Sequence, residues 1–378
     1  MLAFPLLALA IAVQEPVLAP DSEARWVPFE LTDANQIRFT LQVGGRAATA
    51  VLDTGISNTV ISRPLAASLR LKQRGSGRAA AVGGRIPVEW ADAPQIAFGG
   101  LSQRGGRVIV ADMPGLPGDV AEIYVGADLL DCCALDLDYS GRRFRILPSG
   151  RMPFTGDTAP LDRMRGSGVF VTEFALGGRR LRPILVDTGD GSSLTLTQQA
   201  WLAARPPAAR VTTTLGYGAG GALVSEAAIL PGITLAGRAT GETEVRIDAS
   251  GGFSQTAGIA GRIGSGLLMR YRVLIDPRAG RMILRPDPAA ALPPLRSTSG
   301  MLLDYAEGAL RILHVMRGSP AEQAGWKANE RICAADGVPV HEDVADGKID
   351  WTIGAPGRIV RLSDCGGRER PITLRNFY

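Results

Sequence analysis

Apolar and polar residues alternate over residues 37–43, which predicts a half-buried β-strand. Gly44-Gly45 then turns the chain into a second apolar run that ends at Asp53-Thr54-Gly55. Residues 169–176 repeat the alternation, and the run that follows them ends at Asp187-Thr188-Gly189. The simplest interpretation is an internal duplication, in which each copy places a carboxylate where a strand turns.

The repeat continues beyond the aspartates. Residues 82–88 and 219–224 are both glycine turns flanked by strand-like residues. Residues 124–130 and 262–268 both carry a glycine followed by Leu-Leu, and hairpin patterns at 134–146 and 272–284 close the halves. The pattern predicts a mainly β protein with two homologous lobes.

Asp53 and Asp187 are candidate catalytic residues because the duplication can bring them together. Two carboxylates in one site cannot both ionise cheaply, so one keeps a proton while the other acts as a base toward water. The alternative is a pair of turn aspartates that only accept backbone hydrogen bonds. The repeat of the surrounding motifs favours catalysis.

The order of Asp-Thr-Gly, glycine turn and apolar-apolar-Gly with Leu-Leu behind resembles the retropepsin and pepsin class of aspartic proteases, over about residues 30–286. The resemblance implies duplicated pepsin/retropepsin-like β lobes about a pseudo-twofold axis, with an active cleft between them. It implies an aspartic endopeptidase that acts on polypeptides with no metal or organic cofactor. It assigns Asp53 and Asp187 as the dyad. The supporting residues that it implies are Thr54, Gly55, Thr188 and Gly189 at the dyad, Val82, Gly83 and Gly84 in one flap, and Tyr217, Gly218 and Gly220 in the other.

Three positions depart from the family pattern. Ile56 and Asp190 stand where many members carry Ser or Thr, whose hydroxyl favours the charged carboxylate. We therefore expect the dyad to titrate higher than in acid-acting relatives, and we expect Asp190 to face solvent. Arg262 replaces an apolar residue of the second closing motif. These departures leave open an alternative function, a catalytically inactive peptide-binding scaffold with the same folds.

Proline-rich residues 287–295 predict a stiff, extended linker. Beyond it, Ser319 as N-cap, Pro320 at the first position and Gly325 at the exit predict a short helix. This segment resembles a bacterial PDZ domain over residues 296–378, a small α+β barrel-like fold that binds peptides by strand addition. The resemblance implies capture of protein C-termini by the loop Gly300, Met301, Leu302 and Leu303, with help from Arg296.

The apolar start of the chain, residues 1–13, is too short to span a bilayer, and Ala10-Ile11-Ala12 offers a signal-peptidase site. We predict a signal peptide and leader over 1–19 and an exported protein, periplasmic or secreted; a buried N-terminal segment is the alternative. No later stretch is long enough for a membrane span. The predicted lobes cover residues 20–150 and 151–286.

Composition narrows the function classes. The 378 residues carry a formal net charge of +4, and the basic residues are scattered, which argues against nucleic-acid binding. The two histidines, His314 and His341, both fall in the C-terminal segment, which argues against histidine-dependent nucleophiles or metal sites in the lobes. We expect His314 to be a surface or edge residue. Residues 216–221 formally match a dinucleotide fingerprint, but no helix pattern follows them.

We expect the four cysteines and three further aspartates to have structural rather than catalytic roles. Cys132 and Cys133 are adjacent, so we predict buried thiols rather than a bridge between them. A bridge between Cys333 and Cys365 stays open. Asp138 and Asp276 fall at hairpin turns, and Asp128 has no acidic counterpart in the second half.

Overall fold

The computed structural model describes residues 15–112, 121–290, 293–340 and 350–378. The protein is mainly β, and its strands form several sheets. Residues 1–14 of the predicted leader, residues 291–292 of the predicted linker and His341 lie outside the described residues. Strands and helices are numbered below in chain order.

The first sheet follows the predicted alternation, because Ile37, Phe39, Leu41 and Val43 turn inward while the residues between them face outward or lie half-buried. Its strand order is β1-β10-β9-β4-β5-β12-β6-β11-β8-β7, with β3 beside β4. These strands are β1 (Val17–Leu18), β3 (Glu30–Leu31), β4 (Ile37–Val43), β5 (Arg46–Leu52), β6 (Val60–Ile61), β7 (Gln73–Ala81), β8 (Gly84–Asp92), β9 (Ile96–Phe98), β10 (Leu101–Gln103), β11 (Arg107–Val110) and β12 (Ile123–Val125).

The second sheet repeats this arrangement with the order β20-β21-β24-β19-β25-β18-β17-β22-β23, and β16 lies beside β17. Its strands are β16 (Asp162–Arg163), β17 (Phe170–Leu176), β18 (Arg179–Asp187), β19 (Leu194–Thr197), β20 (Thr212–Gly218), β21 (Gly221–Leu230), β22 (Thr234–Leu235), β23 (Arg238–Ala239), β24 (Thr243–Asp248) and β25 (Gly261–Gly264). When the first sheet is followed from β7 and the second from β20, each central strand of the first occupies the same place as a strand of the second. The shared order agrees with the duplication that the sequence predicts.

Both halves also build a third sheet, in the order β15-β27-β26-β13-β14-β2. Its strands are β2 (Val27–Pro28), β13 (Cys133–Asp138), β14 (Arg143–Pro148), β15 (Asp157–Pro160), β26 (Tyr271–Asp276) and β27 (Arg281–Pro286). β13 pairs with β26 across the halves, and the buried Asp136 of β13 accepts hydrogen bonds from Arg145 and Arg272. This sheet ties the first and second sheets into one body.

The C-terminal sheet has the order β28-β29-β30-β32-β33, with β31 beside β30, and it surrounds a separate apolar cluster that includes Ile312, Trp326 and Leu362. Its strands are β28 (Met301–Ala306), β29 (Ala309–Val315), β30 (Arg331–Ala335), β31 (Val338–Pro339), β32 (Ile359–Asp364) and β33 (Glu369–Thr373). We call residues 296–378 of the described chain the C-terminal unit.

The helices are short, and two pairs of them, α1 with α3 and α2 with α5, lie at corresponding places in the two halves. The α-helices are α1 (Arg63–Ser68), α2 (Ala127–Leu130), α3 (Gln198–Ala204), α4 (Phe253–Thr256), α5 (Ser265–Leu268) and α6 (Pro320–Gln323), and 3-10 turns occur at Ser22–Ala24, Pro288–Ala290 and Asp350–Ile353. Ser62 caps α1 and Thr197 caps α3 through side-chain oxygens. Ser319 caps α6 as predicted, and Gly325 follows its end.

Two segments at the ends of the predicted lobes have local structure that the sequence did not indicate. Val17–Leu18, at the end of the leader predicted over 1–19, pairs with β10 of the first sheet, and the signal peptide stays a prediction. Pro288–Ala290 forms a 3-10 turn, so this part of the linker is not extended.

The cysteines also differ from expectation. Cys132 and Cys133 form a disulfide between neighbours, rather than separate buried thiols, because the turn between α2 and β13 brings their sulfur atoms together. The bridge left open between Cys333 and Cys365 is present and joins β30 to the turn after β32.

Within the described ranges, no helix combines the length and apolar character that a membrane crossing requires.

Candidate active site

The two Asp-Thr-Gly loops meet where β5 and β18 end. A Cβ atom added at Gly55 would overlap the Asp187 carboxyl group, and one added at Gly189 would overlap the Asp53 carboxyl group. Each glycine therefore lets the aspartate of the other half approach its backbone. The predicted pair is therefore brought together across the two loops.

The two threonines hold the loops against each other symmetrically. The Thr54 amide donates to Thr188 Oγ1 at 3.0 Å, and the Thr188 amide donates to Thr54 Oγ1 at 3.1 Å. The Thr54 hydroxyl donates to the Val186 carbonyl at 2.7 Å, and the Thr188 hydroxyl donates to the Leu52 carbonyl at 2.8 Å. Since both threonines are fully buried, these bonds fix the spacing of the aspartates.

Backbone amides orient each carboxyl group. Asp53 Oδ1 accepts from the Gly55 amide at 3.0 Å, and Asp187 Oδ1 accepts from the Gly189 and Asp190 amides at 3.1 Å each. The exposed fractions are only 8% for Asp53 and 7% for Asp187. Water therefore screens little of the repulsion between the two groups.

Burial raises the pKa of Asp53 to about 6, and the charge of Asp190 adds to this effect against the hydrogen bonds from the Gly55 amide and from Asp187. Burial, followed by the charges of Asp53 and Asp190, raises the pKa of Asp187 well above its ordinary value, while Arg262 opposes that change. A pair with these shifts carries one shared proton once the pH rises above about 6, where Asp53 is ionised and Asp187 keeps its proton. The expectation that this dyad titrates higher than in acid-acting relatives stays a prediction.

Asp190 does not face solvent, contrary to the prediction. Its carboxylate turns inward because Arg262 Nε donates to Asp190 Oδ2 at 3.0 Å and the Ser192 amide donates to Asp190 Oδ1 at 2.9 Å. Arg262 itself is buried, with 4% exposure. The sequence signal was the replacement of an apolar residue by arginine in the closing motif, but its partner could not be read from the sequence.

The two predicted flaps are hairpins, formed by β7 with β8 and by β20 with β21. Their tips touch: the Gly220 amide donates to the Val82 carbonyl at 2.9 Å, and a Cβ at Gly83 would lie 2.5 Å from the Gly221 carbonyl oxygen. Gly84 lies at the same contact, beside Gly220. The residues that matched a dinucleotide fingerprint lie in the β20–β21 hairpin rather than before a helix.

Two other predicted hairpin residues border this contact. A Cβ at Gly218 would overlap Val82, whereas the Tyr217 side chain is 52% exposed. Val82 is therefore covered by the other hairpin, and Tyr217 points toward solvent.

The predicted peptide-capture loop has its first amides occupied. The Gly300 amide donates to Ser297 Oγ at 2.9 Å, and the Met301 amide donates to Ser299 Oγ at 3.2 Å. These two amides cannot bind a carboxylate while those hydrogen bonds exist.

The other residues of this prediction also have partners. Arg296 lies 3.8 Å from Glu242 of the second half, and Leu302 packs beside Met316 and the chain end at Phe377. Leu303 packs against the apolar cluster of the C-terminal unit.

The C-terminal unit contacts the second hairpin, which the sequence did not suggest. Thr213 of β20 shares a hydrogen bond of 2.9 Å with His314 Nε2 and accepts from the Arg317 amide at 3.1 Å. Arg317 also reaches Glu226 of β21 at 2.7 Å. His314 is therefore half-buried between two elements rather than a surface residue, and burial lowers its pKa.

The three aspartates that the sequence predicts to be structural each accept hydrogen bonds from nearby residues. Asp128 accepts from the amide and hydroxyl of Thr59 at 2.9 and 2.8 Å. Asp276 accepts from Ser149 and Gly150, and Asp138 accepts from the Gly141 amide within its hairpin.

Comparison with known proteins gives one family. Residues 39–129 match the family model described as aspartyl protease. The matched segment contains Asp53 and the first hairpin, and it ends within α2. A search of curated proteins finds no match. The family match supports a peptidase function with polypeptide substrates.

Proposed function

We propose that this protein is an aspartic endopeptidase whose catalytic residues are Asp53 and Asp187. The observation that carries the proposal is the pair of buried carboxyl groups that face each other across two loops linked by Thr54 and Thr188. The aspartyl protease match over the first half supports the same chemistry.

In the proposed reaction the singly protonated pair holds a water molecule. The ionised carboxylate of Asp53 takes a proton from this water as it attacks the scissile carbonyl carbon. Asp187 keeps the shared proton, because Asp53 and Asp190 both oppose its ionisation, and donates it toward the carbonyl oxygen. Asp53 then donates the proton that it took from water to the amide nitrogen, and Asp187 recovers a proton from a hydroxyl of the tetrahedral intermediate. The C–N bond breaks in this step, and the singly protonated pair is regenerated.

In this proposal the two hairpins act as flaps over the substrate. They support this role because their tips meet through few backbone contacts near Gly83 and Gly220, which can separate without unfolding either sheet. A bound peptide would then lie between the tips and the dyad.

Cleavage of a peptide library between pH 4 and 8 tests the proposal. Asp53→Asn and Asp187→Asn should each reduce kcat/KM by at least about a thousandfold, because one carboxyl group alone cannot supply both base and acid. Asp138→Asn, in an exposed hairpin, is the matched control and should cleave as the parent does. A different outcome would favour the scaffold. If the parent protein cleaves no peptide at any pH, and both dyad variants bind peptides as the parent does, the chain is a peptide-binding scaffold.

We propose further that the C-terminal unit is a PDZ domain that holds a substrate tail near the site. Its antiparallel sheet with the short helix α6 supports this fold, and its contact with β20 supports proximity to the flaps. Because the Gly300 and Met301 amides are occupied, strand addition is the mode of binding that we expect. Peptides with free and amidated C-termini should then bind equally, and a requirement for the free terminus would contradict this mode.

We also propose that the protein is exported. The apolar start of the chain and the disulfides Cys132–Cys133 and Cys333–Cys365 support an oxidising compartment. Cell fractionation with N-terminal sequencing of the mature chain tests the proposal, and a reduced cytoplasmic protein with an intact start would contradict it.

A further inference from the structure

The two halves differ chemically at the position beside the aspartates. Tyr124 of β12 pairs with Val51 in the first half, and Arg262 of β25 pairs with Leu185 at the corresponding place in the second. Ile56 follows the first Asp-Thr-Gly, and Asp190 follows the second.

The residues that surround these positions are also apolar in the first half and charged or polar in the second. In the first half Ile56 and Tyr124 belong to an apolar cluster with Val60. In the second half Asp190 and Arg262 form an ion pair, and Thr195 takes the place of Val60. A symmetric fold therefore carries an apolar cluster on one side of the dyad and a charged cluster on the other.

Arg262 is fully engaged inside the second half. Its Nη1 atom lies 3.0 Å from Ser254 Oγ and 3.4 Å from Asp248 Oδ2, and its Nη2 atom lies 3.4 Å from Thr195 Oγ1. The guanidinium also lies 5.4 Å from the centre of the Phe253 ring. These contacts fix the arginine from β19, β24 and α4, so it offers a rigid positive charge to the dyad loop.

The same arginine touches the catalytic loop at two points. Its Nε atom lies 3.0 Å from Asp190 Oδ2 and 3.9 Å from Asp187 Oδ2. The Asp190 amide in turn donates to Asp187 Oδ1, and the Asp190 carbonyl accepts from the Ser265 amide at 2.7 Å. Asp190 therefore holds the Asp187 loop through its backbone as well as through its charge.

We propose that Asp190 and Arg262 are positioning residues that act as a balanced charge pair, which holds Asp187 in place and sets the pH range in which the dyad carries one proton. This inference rests on the proposed peptidase function. Asp190 and Arg262 both depart from the family pattern, and the chemistry of Asp53 and Asp187 alone gives neither of them a role. The inference assigns them one.

The charges around Asp187 support opposite effects of the two residues. Asp53 faces it from the other loop, Asp190 lies on its own loop, and Arg262 approaches from β25. The negative charge of Asp190 raises the pKa of Asp53 and of Asp187, whereas Arg262 lowers the pKa of Asp187.

Two residues of β24 are the other charged groups around Asp190 and Arg262. Asp248 pairs with Arg262 at its far side, and the positive charge of Arg246 also acts on Asp190. Burial acts to raise the pKa of Asp190, but Arg262, the Ser192 hydrogen bonds and Arg246 together bring it below its ordinary value. Asp190 thus stays charged throughout the range in which the dyad titrates.

The test compares the pH profile of kcat/KM for the parent, Asp190→Asn and Arg262→Met. Asp190→Asn removes a negative charge near both catalytic carboxyl groups, so the whole profile should move to lower pH by about one unit. Arg262→Met removes the positive charge, so the profile should move to higher pH by a similar amount. The double variant should lie between them.

The result would be different if Asp190 and Arg262 only held the loop in place and had no electrostatic role. Both single variants would then lose activity at every pH without moving the profile, and this outcome would overturn the inference. Arg272→Met is the matched control, since it breaks another Arg–Asp contact, with Asp136 in the third sheet, and should leave the profile in place. Arg262→Lys retains a charge and serves as the second variant if Arg262→Met does not fold.

A second measurement separates this inference from the proposed function. The carboxyl carbons of Asp53 and Asp187 can be titrated by NMR in aspartate-labelled protein without any turnover. The titration of Asp190→Asn should move to lower pH by the same amount as the activity profile. If the dyad variants cleave as the parent does, the peptidase proposal fails, whereas an unmoved NMR titration overturns the positioning role alone.

Discussion

Two buried aspartates can have opposite effects on stability, depending on their neighbours. Asp53 lies against another carboxyl group, whereas Asp136 lies between Arg145 and Arg272. Ionising Asp53 in the folded chain is therefore costly, while the charge of Asp136 is compensated.

We expect Asp53→Asn to stabilise the fold by about 1–3 kcal/mol at pH 7.5. The pKa of Asp53 is about 6 in the folded chain and near 3.8 when unfolded, so the folded state binds this proton more tightly. Parent stability therefore falls as pH rises from about 4 to about 6, and the gain in the variant should vanish below pH 4. Urea unfolding at both pH values measures the difference.

Asp136→Asn is the contrasting variant. It leaves two arginines without their carboxylate, so it should destabilise the fold by about 3–5 kcal/mol. Destabilisation of similar size by Asp53→Asn at pH 7.5 would contradict the charge state that we assign to the dyad.

At the scale of elements, the tips of the two hairpins meet through backbone contacts near Gly83 and Gly220. Gly83 has a φ of +87°, and the backbone of Gly221 leaves no room for a side chain there. Glycine is therefore required both by conformation and by the close approach of the second hairpin.

We expect Gly83→Ala to separate the tips and to cost about 1–2 kcal/mol at the turn itself. Hydrogen exchange should become faster at the Gly220 amide, which donates across the contact. Gly77→Ala in β7 is the matched control, because nothing lies within 4 Å of its added Cβ. Equal exchange in the two variants would show that the tips do not depend on this contact.

At the scale of the molecule, the third sheet joins the two halves, and the C-terminal unit rests on the second half. Met316, Phe377 and Tyr378 of the unit pack beside Ile229 of β21. His314 adds a hydrogen bond to Thr213 at the same contact. The position of the unit is thus linked to the hairpin that we propose as a flap.

This contact should weaken in acid. Burial lowers the pKa of His314 below its ordinary value of 6.5, so its stabilising contribution is present above pH 6.5 and is lost as pH falls through the folded-state pKa. Protection factors in β20 and β29, which are corrected for the base-catalysed intrinsic rate of amide exchange, should fall by up to about tenfold between pH 7.5 and pH 5. His314→Gln cannot titrate, and unchanged acid sensitivity in this variant would exclude the histidine as its source.

The sequence predicted a large part of the fold because its signals are local and repeated. The alternation of β4, the Asp-Thr-Gly turns, the glycine hairpins and the cap of α6 each depend on residues close together in the chain. The threonine brace was implied by family resemblance, and the structure contains its reciprocal hydrogen bonds. The Cys132–Cys133 bridge was missed because adjacency argued against it.

By itself, the sequence determined the strand pattern, the duplication and the two aspartates as a pair, since a repeated apolar period fixes which side chains can share a core face. Only the tertiary structure decided that Asp190 turns inward to Arg262, that the hairpin tips meet, and that His314 contacts β20. Those contacts join residues far apart in the chain. Charge and exposure at such positions depend on what packs against them, and composition and spacing carry no record of that packing.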